Sequence, residues 1–338
     1  MRNAALAFDR QALTGDKAAR DVLVQMDAVE KALRGLGWNT VRLPIDLNLH
    51  RFKKKLFADK PDLVFNLVES LDRSDRLQAI IPLLLEDWRI PVTGSAAAAM
   101  LLANHKIAAK QTLAENYLPF PDCAWLDRRS GLAFMPTAGD GDGAEDWIIK
   151  PVDCHASLFI DAASVLRNAE RAELVRRLAE AQSKHGRHFF AERFVDGREF
   201  NLSVLEGAGG GPELLPVAEI SFAAFPPDQP RIVGHAAKWD EESPEYRGTQ
   251  RVFPEDIGDG ELRRELSRLA LAAWNAFGLA GYARMDFRVN AAGKPYLLEV
   301  NANPCLAPDS GFAAAAGRMG MAYEELIQRI AEAGLRLG

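Results

Sequence analysis

Four polar residues in two predicted strands form the clearest chemical motif of this sequence. Arg284 and Asp286 are two apart in one strand, and Glu299 and Asn301 are two apart in the next. Residues two apart share a face of a strand, so a turn at 290–293 would bring both pairs onto one face of a hairpin. Two carboxylates about 4 Å apart repel by about 4 kcal/mol at an effective dielectric near 20, which favours a cation between them. The alternative is a surface hairpin with solvated ion pairs, and the apolar residues that alternate with these four disfavour it.

The donor atoms of this motif suit a hard divalent cation. Asp286, Glu299 and Asn301 offer only oxygen, the ligand type that Mg²⁺ takes together with water and phosphate. Mn²⁺ is the alternative ion. Arg284 beside them would hold a phosphate or stabilise developing negative charge.

Three lysines provide candidate anion contacts elsewhere in the chain. Lys150 follows three apolar residues at the end of a predicted strand, Lys106 opens a predicted helix, and Lys238 follows two alanines. A lysine at a buried strand end commonly meets an anion, for which ATP phosphates are a source. Each of these lysines by itself is more often a solvated side chain.

A bend at 196–197 is a candidate nucleotide contact. Glu192 and Glu199 flank it, and Phe194 and Val195 lie between them. Such a bend can offer backbone groups and an apolar wall to adenine and a carboxylate to ribose. Taken in isolation, the segment is an ordinary hairpin.

Taken in their order along the chain, these candidate residues and the motifs around them resemble those of the D-alanine:D-alanine ligases of the ATP-grasp superfamily. The resemblance covers most of the chain and is most specific towards its C-terminal end. It rests on Lys106 and on the motifs IIKP at 148–151, ERFVDGRE at 192–199, PELLP at 212–216, AKW at 237–239, GYARMD at 281–286 and LEVNANP at 298–304.

The resemblance implies a role for each candidate residue. Lys106, Lys150 and Lys238 would bind ATP phosphates. Glu192, Phe194 and Val195 would lie at adenine and Glu199 at ribose. Asp286, Glu299 and Asn301 would hold two magnesium ions. Arg284 would stabilise the acyl phosphate and the tetrahedral intermediate, and Ser310 would hold the acceptor carboxylate. The implied activity is the ATP-dependent joining of a small-molecule carboxylate to an amine, and the implied assembly is a homodimer.

Departures from the family pattern concern the first amino-acid site and the loop over the phosphates. Of the serines that the family has in that loop, this chain keeps only Ser157. We align Asp21, Ala156 and Trp239 with the glutamate, serine and tyrosine that shape the first amino-acid site in the family. Cys305 replaces the usual glycine after the Asn-x-x-Pro motif. These changes predict poor D-alanyl-D-alanine synthesis and a larger or differently charged acid. Two alternatives stay open, namely activation of a carboxylate for a non-amine acceptor and nucleotide binding without turnover.

The elements that must position these residues follow an α/β and then an α+β pattern. Strand, helix, strand, strand and helix are predicted at 4–8, 21–36, 40–43, 63–67 and 77–88, with a last short strand at 90–94. In the rest of the chain, we predict helices at 96–102, 105–115, 169–184, 261–277 and 323–335. We predict strands at 147–151, 189–194, 200–205, 214–220, 281–289 and 295–300. We predict a three-subdomain ATP-grasp fold with an N-terminal open parallel α/β domain (1–95), a central subdomain (96–186) and a C-terminal subdomain (187–338), ATP lying between two antiparallel sheets.

Composition excludes several other classes of protein. The 338 residues are 48% hydrophobic and 26% charged, as in a globular protein. A formal net charge of −6 gives no reason to expect nucleic acid as a partner. Three widely spaced cysteines provide neither a disulfide framework nor a CxxC metal site. With no stretch of 18 apolar residues and no signal-peptide pattern, we expect a soluble, cytoplasmic protein that has no membrane partner.

Overall fold

The computed structural model describes residues 1–14, 17–136, 145–155, 157–225, 229–255, 257 and 260–337. Ala156 of the altered phosphate loop lies outside these ranges. Within them, no helix combines the length and the apolar character that a membrane crossing requires.

The N-terminal part contains a small parallel sheet with the strand order β2-β1-β3. Its elements are β1 (Asn3–Asp9), α1 (Lys17–Gly35), β2 (Asn39–Ile45), α2 (Leu49–Asp59), β3 (Leu63–Asn66) and α3 (Ile80–Asp87). The predicted parallel α/β character is confirmed. Helix α2 was missed, although parallel strands require a crossover connection between β2 and β3. Its three successive lysines obscured the pattern, because only Phe52 and Leu56 of α2 are buried. The strand predicted at 90–94 is wrong, since only a single bridge joins Val92 to Val64.

The central part begins with two helices and continues into a five-stranded antiparallel sheet. The helices α4 (Ala97–Asn104) and α5 (Lys106–Glu115) agree with the predictions. The remaining elements are β4 (Cys123–Asp127), β5 (Gly131–Met135), β6 (Glu145–Pro151), β7 (Val165–Ala169), α6 (Arg171–His185) and β8 (Phe189–Arg193), with the strand order β5-β4-β8-β6-β7. The sequence patterns missed β4, β5 and β7.

The C-terminal part is built on a six-stranded antiparallel sheet. Five strands follow the order β12-β11-β9-β13-β14, and β10 pairs with β9. The elements are β9 (Arg198–Glu206), β10 (Pro212–Leu214), β11 (Ala218–Ser221), α7 (His235–Trp239), α8 (Pro244–Gly248), β12 (Gln250–Val252), α9 (Glu261–Phe277), β13 (Tyr282–Val289), β14 (Pro295–Asn301), α10 (Gly311–Arg318) and α11 (Tyr323–Leu337). The single strand predicted at 214–220 is two strands, β10 and β11. Helices α7, α8 and α10 and strand β12 were not predicted.

Strand pairing bears on the boundary between the central and C-terminal parts. β8 pairs with β4 and β6 of the central sheet, whereas β9 pairs with β11 and β13 of the C-terminal sheet. The chain therefore passes from one sheet to the other between Arg193 and Arg198. We propose this bend as the boundary, in place of the division at 186/187.

Two hydrophobic clusters join the three parts. One packs α4, α5 and α9 against β9, β13 and β14, and the other packs α10, α11 and Tyr282 against α1, β1 and β3. Where the N-terminal part meets β13, Gly281 has φ of +68°, and a Cβ there would lie 3.1 Å from Gly94 backbone atoms. A side chain at Gly281 would force this contact apart.

Candidate active site

The hairpin that the sequence predicts to bind a metal forms, and its two strands are antiparallel as predicted. In the register of β13 and β14, Asp286 lies opposite Glu299 and Arg284 opposite Asn301. On the other side of β13, Asp286 lies opposite Asn201 of β9. Directly opposed residues project to the same face of a sheet. Three neighbouring strands therefore bring these five polar side chains together.

Hydrogen bonds fix the carboxylate of Asp286 in the middle of this group. Arg284 donates Nε to Oδ1 at 2.7 Å and Nη2 to Oδ2 at 2.8 Å. Asn201 donates its amide nitrogen to Oδ1 at 2.8 Å, and Asn301 donates its own to Oδ2 at 3.2 Å. Burial lowers the pKa of Arg284, but the Asp286 charge outweighs this effect and leaves the pKa raised. Arg284 is thus a permanent cation in a fixed orientation.

Glu299, across from Asp286, is held by cationic and imidazole groups. Lys106 Nζ lies 3.6 Å from Glu299 Oε1, and His155 Nδ1 lies 3.3 Å from the same oxygen. Burial raises the pKa of Glu299, but Lys106 and His155 hold it well below its usual range. The carboxylate therefore stays ionised and can take a divalent cation.

The residues of the hairpin fit Mg²⁺. Asp286, Glu299 and the amide oxygen of Asn301 provide an oxygen-only donor set with two negative charges. Among the described residues, no group of three or more His, Cys, Asp or Glu side chains has the arrangement of a complete metal site. A magnesium ion bound here would take its remaining oxygens from phosphate groups and water, which is the usual coordination of this ion in nucleotide sites.

Two lysines and a buried glutamate connect the central sheet to this hairpin. In the β6–β8 register, Lys150 lies opposite Phe190 and Ile148 opposite Glu192, so Lys150 and Glu192 are diagonal neighbours and form an ion pair. Lys110 of α5 also pairs with Glu192, at 2.6 Å. Burial raises the pKa of Glu192, but these two lysine charges hold it below the usual value.

Lys110 reaches strand β14 as well. Its Nζ donates to the carbonyl oxygens of Leu297 at 3.0 Å and Leu298 at 2.9 Å, immediately before Glu299. The side chain is 1% exposed. One buried ammonium therefore ties the carboxylate of Glu192 to the backbone that positions Glu299.

Almost all of the predicted nucleotide-site residues line a single cleft. The cleft has a cavity volume of about 330 Å³ and lies between the central and C-terminal sheets. Its lining includes Lys106, Lys150, Glu192, Phe194, Val195, Glu199, Lys238, Arg284, Asp286 and Glu299. Desolvation and the nearby charge of Arg284 lower the pKa of Lys238. Ser310 does not line it, but caps α10 by accepting a hydrogen bond from the backbone of Ala313, beside the cleft residue Gly311.

The bend between the two sheets forms one end of the cleft. Gly197 has φ of +154°, and a Cβ there would overlap the carbonyl oxygen of Val289. Beyond the bend, Glu199 accepts an ion pair from Arg288 at 2.9 Å. Arg288 is only 4% exposed and also donates Nη1 to the Gly197 carbonyl at 3.1 Å. The bend is therefore held in one conformation between Glu192 and Glu199.

A second cavity, of about 220 Å³, adjoins the cleft. Four residues line both cavities, namely His155, Lys238, Arg284 and Glu299. The second cavity also contains Asp21, Glu69, Trp239, Asn301 and Cys305. Gln25 donates to Glu69 Oε1 at 3.1 Å, and desolvation raises the pKa of Glu69. The two cavities thus meet at the cationic and carboxylate groups of the hairpin.

Comparison with known proteins places this arrangement in a family. A family model described as "D-ala D-ala ligase C-terminus" matches residues 148–332, more than half of the chain. The D-alanine–D-alanine ligase of Bordetella petrii is 30% identical over 331 residues, which cover 96% of this chain and 91% of that protein. The chain belongs to the D-alanine–D-alanine ligase family.

Other members of the D-alanine–D-alanine ligase family agree with this assignment over nearly the full length. The enzyme of Parvibaculum lavamentivorans is 29% identical over 326 residues, covering 94% of both chains. A crystal structure of the Bacillus anthracis ligase complexed with ATP has a TM-score of 0.73 and 19% sequence identity, and covers 100% of this chain and 98% of that one. The predicted ATP-grasp fold is confirmed, and the protein is an ATP-dependent ligase of the D-alanine–D-alanine ligase kind. The comparisons do not bear out the prediction of poor D-alanyl-D-alanine synthesis, and they support neither of the two alternatives.

Several residues of this family member's site were missed by the sequence patterns. Lys110 lies one helical turn after Lys106, Asn201 lies two residues after Glu199, and Arg288 lies two residues after Asp286. Each therefore shares a face with a residue that was selected, and this spacing was the available signal. Arg251 also lines the cleft, but it lies on β12, a three-residue strand that the sequence does not predict.

Proposed function

We propose that this protein activates the carboxylate of one D-alanine as an acyl phosphate and joins it to the amine of a second D-alanine. ATP is converted to ADP and phosphate. The observation that carries the proposal is the junction of the two cavities at Lys238, Arg284 and Glu299. A nucleotide in the larger cavity would present its terminal phosphate to a carboxylate in the smaller one. D-Alanine is proposed because the related enzymes of Bordetella petrii and Parvibaculum lavamentivorans carry that name.

ATP would bind with its base at the bend and its phosphates at the hairpin. Phe194 and Val195 line the cleft and provide the apolar wall for adenine, and Glu199 lies where a ribose hydroxyl can donate. Lys106, Lys150 and Lys238 would neutralise the phosphates. When bound, Mg²⁺ on Asp286, Glu299 and Asn301 would supply charge neutralisation at the transferred phosphoryl group.

The smaller cavity would hold the first amino acid. Asp21 and Glu69 offer carboxylates to the ammonium group of this amino acid. Its own carboxylate would point towards the cleft, where it meets Lys238 and Arg284. An oxygen of that carboxylate attacks the terminal phosphorus of ATP, and the bond from this phosphorus to the oxygen of ADP breaks. Holding the two reactants in adjoining cavities converts a bimolecular step into an effectively unimolecular one.

Amide formation follows at the same carbon. The amine nitrogen of the second amino acid attacks the acyl carbon, loses a proton, and displaces phosphate as the carbon–oxygen bond breaks. Arg284 is oriented by Asp286 and stays protonated, so it can stabilise the negative oxygen of the tetrahedral intermediate.

A product assay tests the proposal. Purified protein is incubated with ATP, Mg²⁺ and millimolar D-alanine, and ADP and D-alanyl-D-alanine are quantified by coupled spectrophotometry and mass spectrometry. The proposal expects one dipeptide per ADP, with no ADP release when D-alanine is omitted. ADP release without dipeptide, or no stimulation by D-alanine, would contradict it. Arg318→Met, an exposed change on α10, serves as a control of enzyme quality.

A further inference from the structure

His155 lines both cavities, and the proposed chemistry assigns it no role. It lies in the loop after β6, the loop that the family places over the phosphates. Its Nδ1 lies 3.3 Å from Oε1 of Glu299, and its Nε2 lies 3.1 Å from the amide nitrogen of Gln78. The imidazole therefore bridges the N-terminal part of the chain and strand β14.

The contact with Gln78 decides which ring nitrogen of His155 carries the proton. An amide nitrogen only donates, so Nε2 of His155 accepts this hydrogen bond. In a neutral imidazole the other nitrogen then carries the proton and donates. Nδ1 therefore donates to Oε1 of Glu299. Gln78 thus selects the form of His155 that can bond to a carboxylate.

The backbone of His155 is held by the same segment of the N-terminal part. The His155 N–H donates to Oδ2 of Asp75 at 2.7 Å, and the carbonyl oxygen of Asp75 accepts from Nδ2 of Asn104 at 2.8 Å. Asn104 is only 5% exposed. Residues 75–78, which precede α3, therefore anchor both the backbone and the ring of His155 and orient the imidazole towards Glu299.

Glu299 lacks the dense set of donors that surrounds Asp286. A carboxylate that binds a metal is usually oriented by hydrogen bonds from groups that do not touch the metal. Asp286 has such partners, in its four hydrogen bonds from β9, β13 and β14. Lys106 Nζ is 3.6 Å from Oε1 of Glu299 and donates instead to the carbonyl oxygen of Cys154. The imidazole of His155 is thus placed to orient Glu299.

From this geometry we infer that His155 positions Glu299 for Mg²⁺ and thereby strengthens the coupling between metal binding and nucleotide binding. The inference rests on the proposed function, in which Glu299 holds Mg²⁺, and extends it to the loop after β6. His155 is a positioning residue, because it acts through Glu299. Gln78 and Asp75 support it, so the N-terminal part contributes to the metal site without providing a ligand.

Metal-dependent binding of a nucleotide analogue tests this role without turnover. The Kd of the non-hydrolysable ATP analogue AMP-PNP is measured by calorimetry, once with excess EDTA and once with saturating Mg²⁺. The Kd in EDTA divided by the Kd in Mg²⁺ is the metal coupling ratio of each variant. Mg²⁺ binds free AMP-PNP equally in every sample, so a difference between variants reports on the protein. A residue that only packs the loop would change both Kd values by the same factor and leave this ratio unchanged.

His155→Ala is expected to lower the metal coupling ratio about tenfold or more. His155→Asn, whose amide nitrogen can replace Nδ1 as the donor to Glu299, is expected to keep most of the wild-type ratio. Gln78→Leu should lower the ratio in the wild-type protein but not further in His155→Ala, because Gln78 acts through His155. His50→Ala, a change at an exposed histidine of α2, should leave the ratio unchanged.

An unchanged ratio in His155→Ala, with a lowered ratio in Glu299→Gln, would overturn the inference and leave the proposed metal role of Glu299 standing. A full additional loss from Gln78→Leu in the His155→Ala protein would show that Gln78 does not act through His155. An unchanged ratio in Glu299→Gln would contradict the metal site of the proposed function, and the inference would fall with it.

Melting temperatures identify any variant that does not fold. If His155→Ala is such a variant, His155→Asn and His155→Gln decide the question. Asparagine places its donor near the position of Nδ1, whereas glutamine places it near Nε2, away from Glu299. The inference expects a lowered metal coupling ratio only in His155→Gln, and equal ratios in the two variants would overturn it.

Discussion

Replacement of Lys110 by methionine should reduce both the stability of the protein and its affinity for ATP. Lys110 is 1% exposed and makes three contacts, to Glu192 at 2.6 Å and to the carbonyls of Leu297 and Leu298 at 3.0 and 2.9 Å. Removing one partner of a buried ion pair typically costs about 3–5 kcal/mol. Glu192 keeps its pair with Lys150, so we expect the low end, about 3 kcal/mol. Because Glu192 lines the cleft proposed to hold ATP, KM for ATP should rise about tenfold.

Urea denaturation and steady-state kinetics check these expectations together. The double variant Lys110→Met/Glu192→Gln also removes the Glu192 carboxylate, which Lys110→Met leaves with one of its two lysine partners, and should recover part of the lost stability. Lys184→Met, at an exposed position of α6, should stay within about 0.5 kcal/mol of wild type. A stability loss below about 1 kcal/mol in Lys110→Met, with an unchanged KM for ATP, would refute the positioning role of Lys110.

Further predictions concern the metal, the base and the bend. Glu299→Gln should lower ADP release about a hundredfold or more, because a neutral amide is a poorer Mg²⁺ ligand. Glu325→Gln, at an exposed site, should leave ADP release unchanged. Near-wild-type ADP release by Glu299→Gln would contradict the metal assignment. Calorimetry should give at least about tenfold tighter binding of ATP than of GTP, since backbone groups at 192–195 would match the edge of adenine and not that of guanine. Equal affinities for ATP and GTP would contradict this prediction. Gly197→Ala should weaken ATP binding and lower the melting temperature, because the added Cβ would overlap the carbonyl oxygen of Val289 and the backbone would have to shift. Gly317→Ala, where an added methyl meets nothing within 4 Å, should do neither.

The elements with strong local signals were predictable from the sequence. Helix α9 (Glu261–Phe277) has a 3.6-residue apolar period and ends at Gly278, whose φ of +62° suits a helix C-terminus. The hairpin proposed to bind Mg²⁺ was predictable within each strand, because alternation with a period of two fixes which side chains share a face. The turn alone does not set the pairing across the hairpin, because the register shifts between Asp286 and Phe287, and this irregularity places Asp286 opposite Glu299.

Features that depend on distant contacts could not be predicted in the same way. Strand β12 has three residues and exists because it pairs with β11, so its own sequence carries little information. Helix α2 was hidden by lysines on its exposed face, since only two of its residues are buried. The burial of Lys110 depends on β8 and β14, which are more than 75 residues away in sequence. The sequence thus indicates the groups that we propose to do chemistry better than the groups that position them.

Transfer of carboxylate oxygen to phosphate tests the central claim most directly. D-Alanine labelled with ¹⁸O in its carboxylate is incubated with the protein, ATP and Mg²⁺, and the released phosphate is analysed by mass spectrometry. If an acyl phosphate forms and is displaced by an amine, each dipeptide is accompanied by one phosphate carrying one ¹⁸O atom. Dipeptide accompanied by unlabelled phosphate would contradict activation of the carboxylate by phosphoryl transfer.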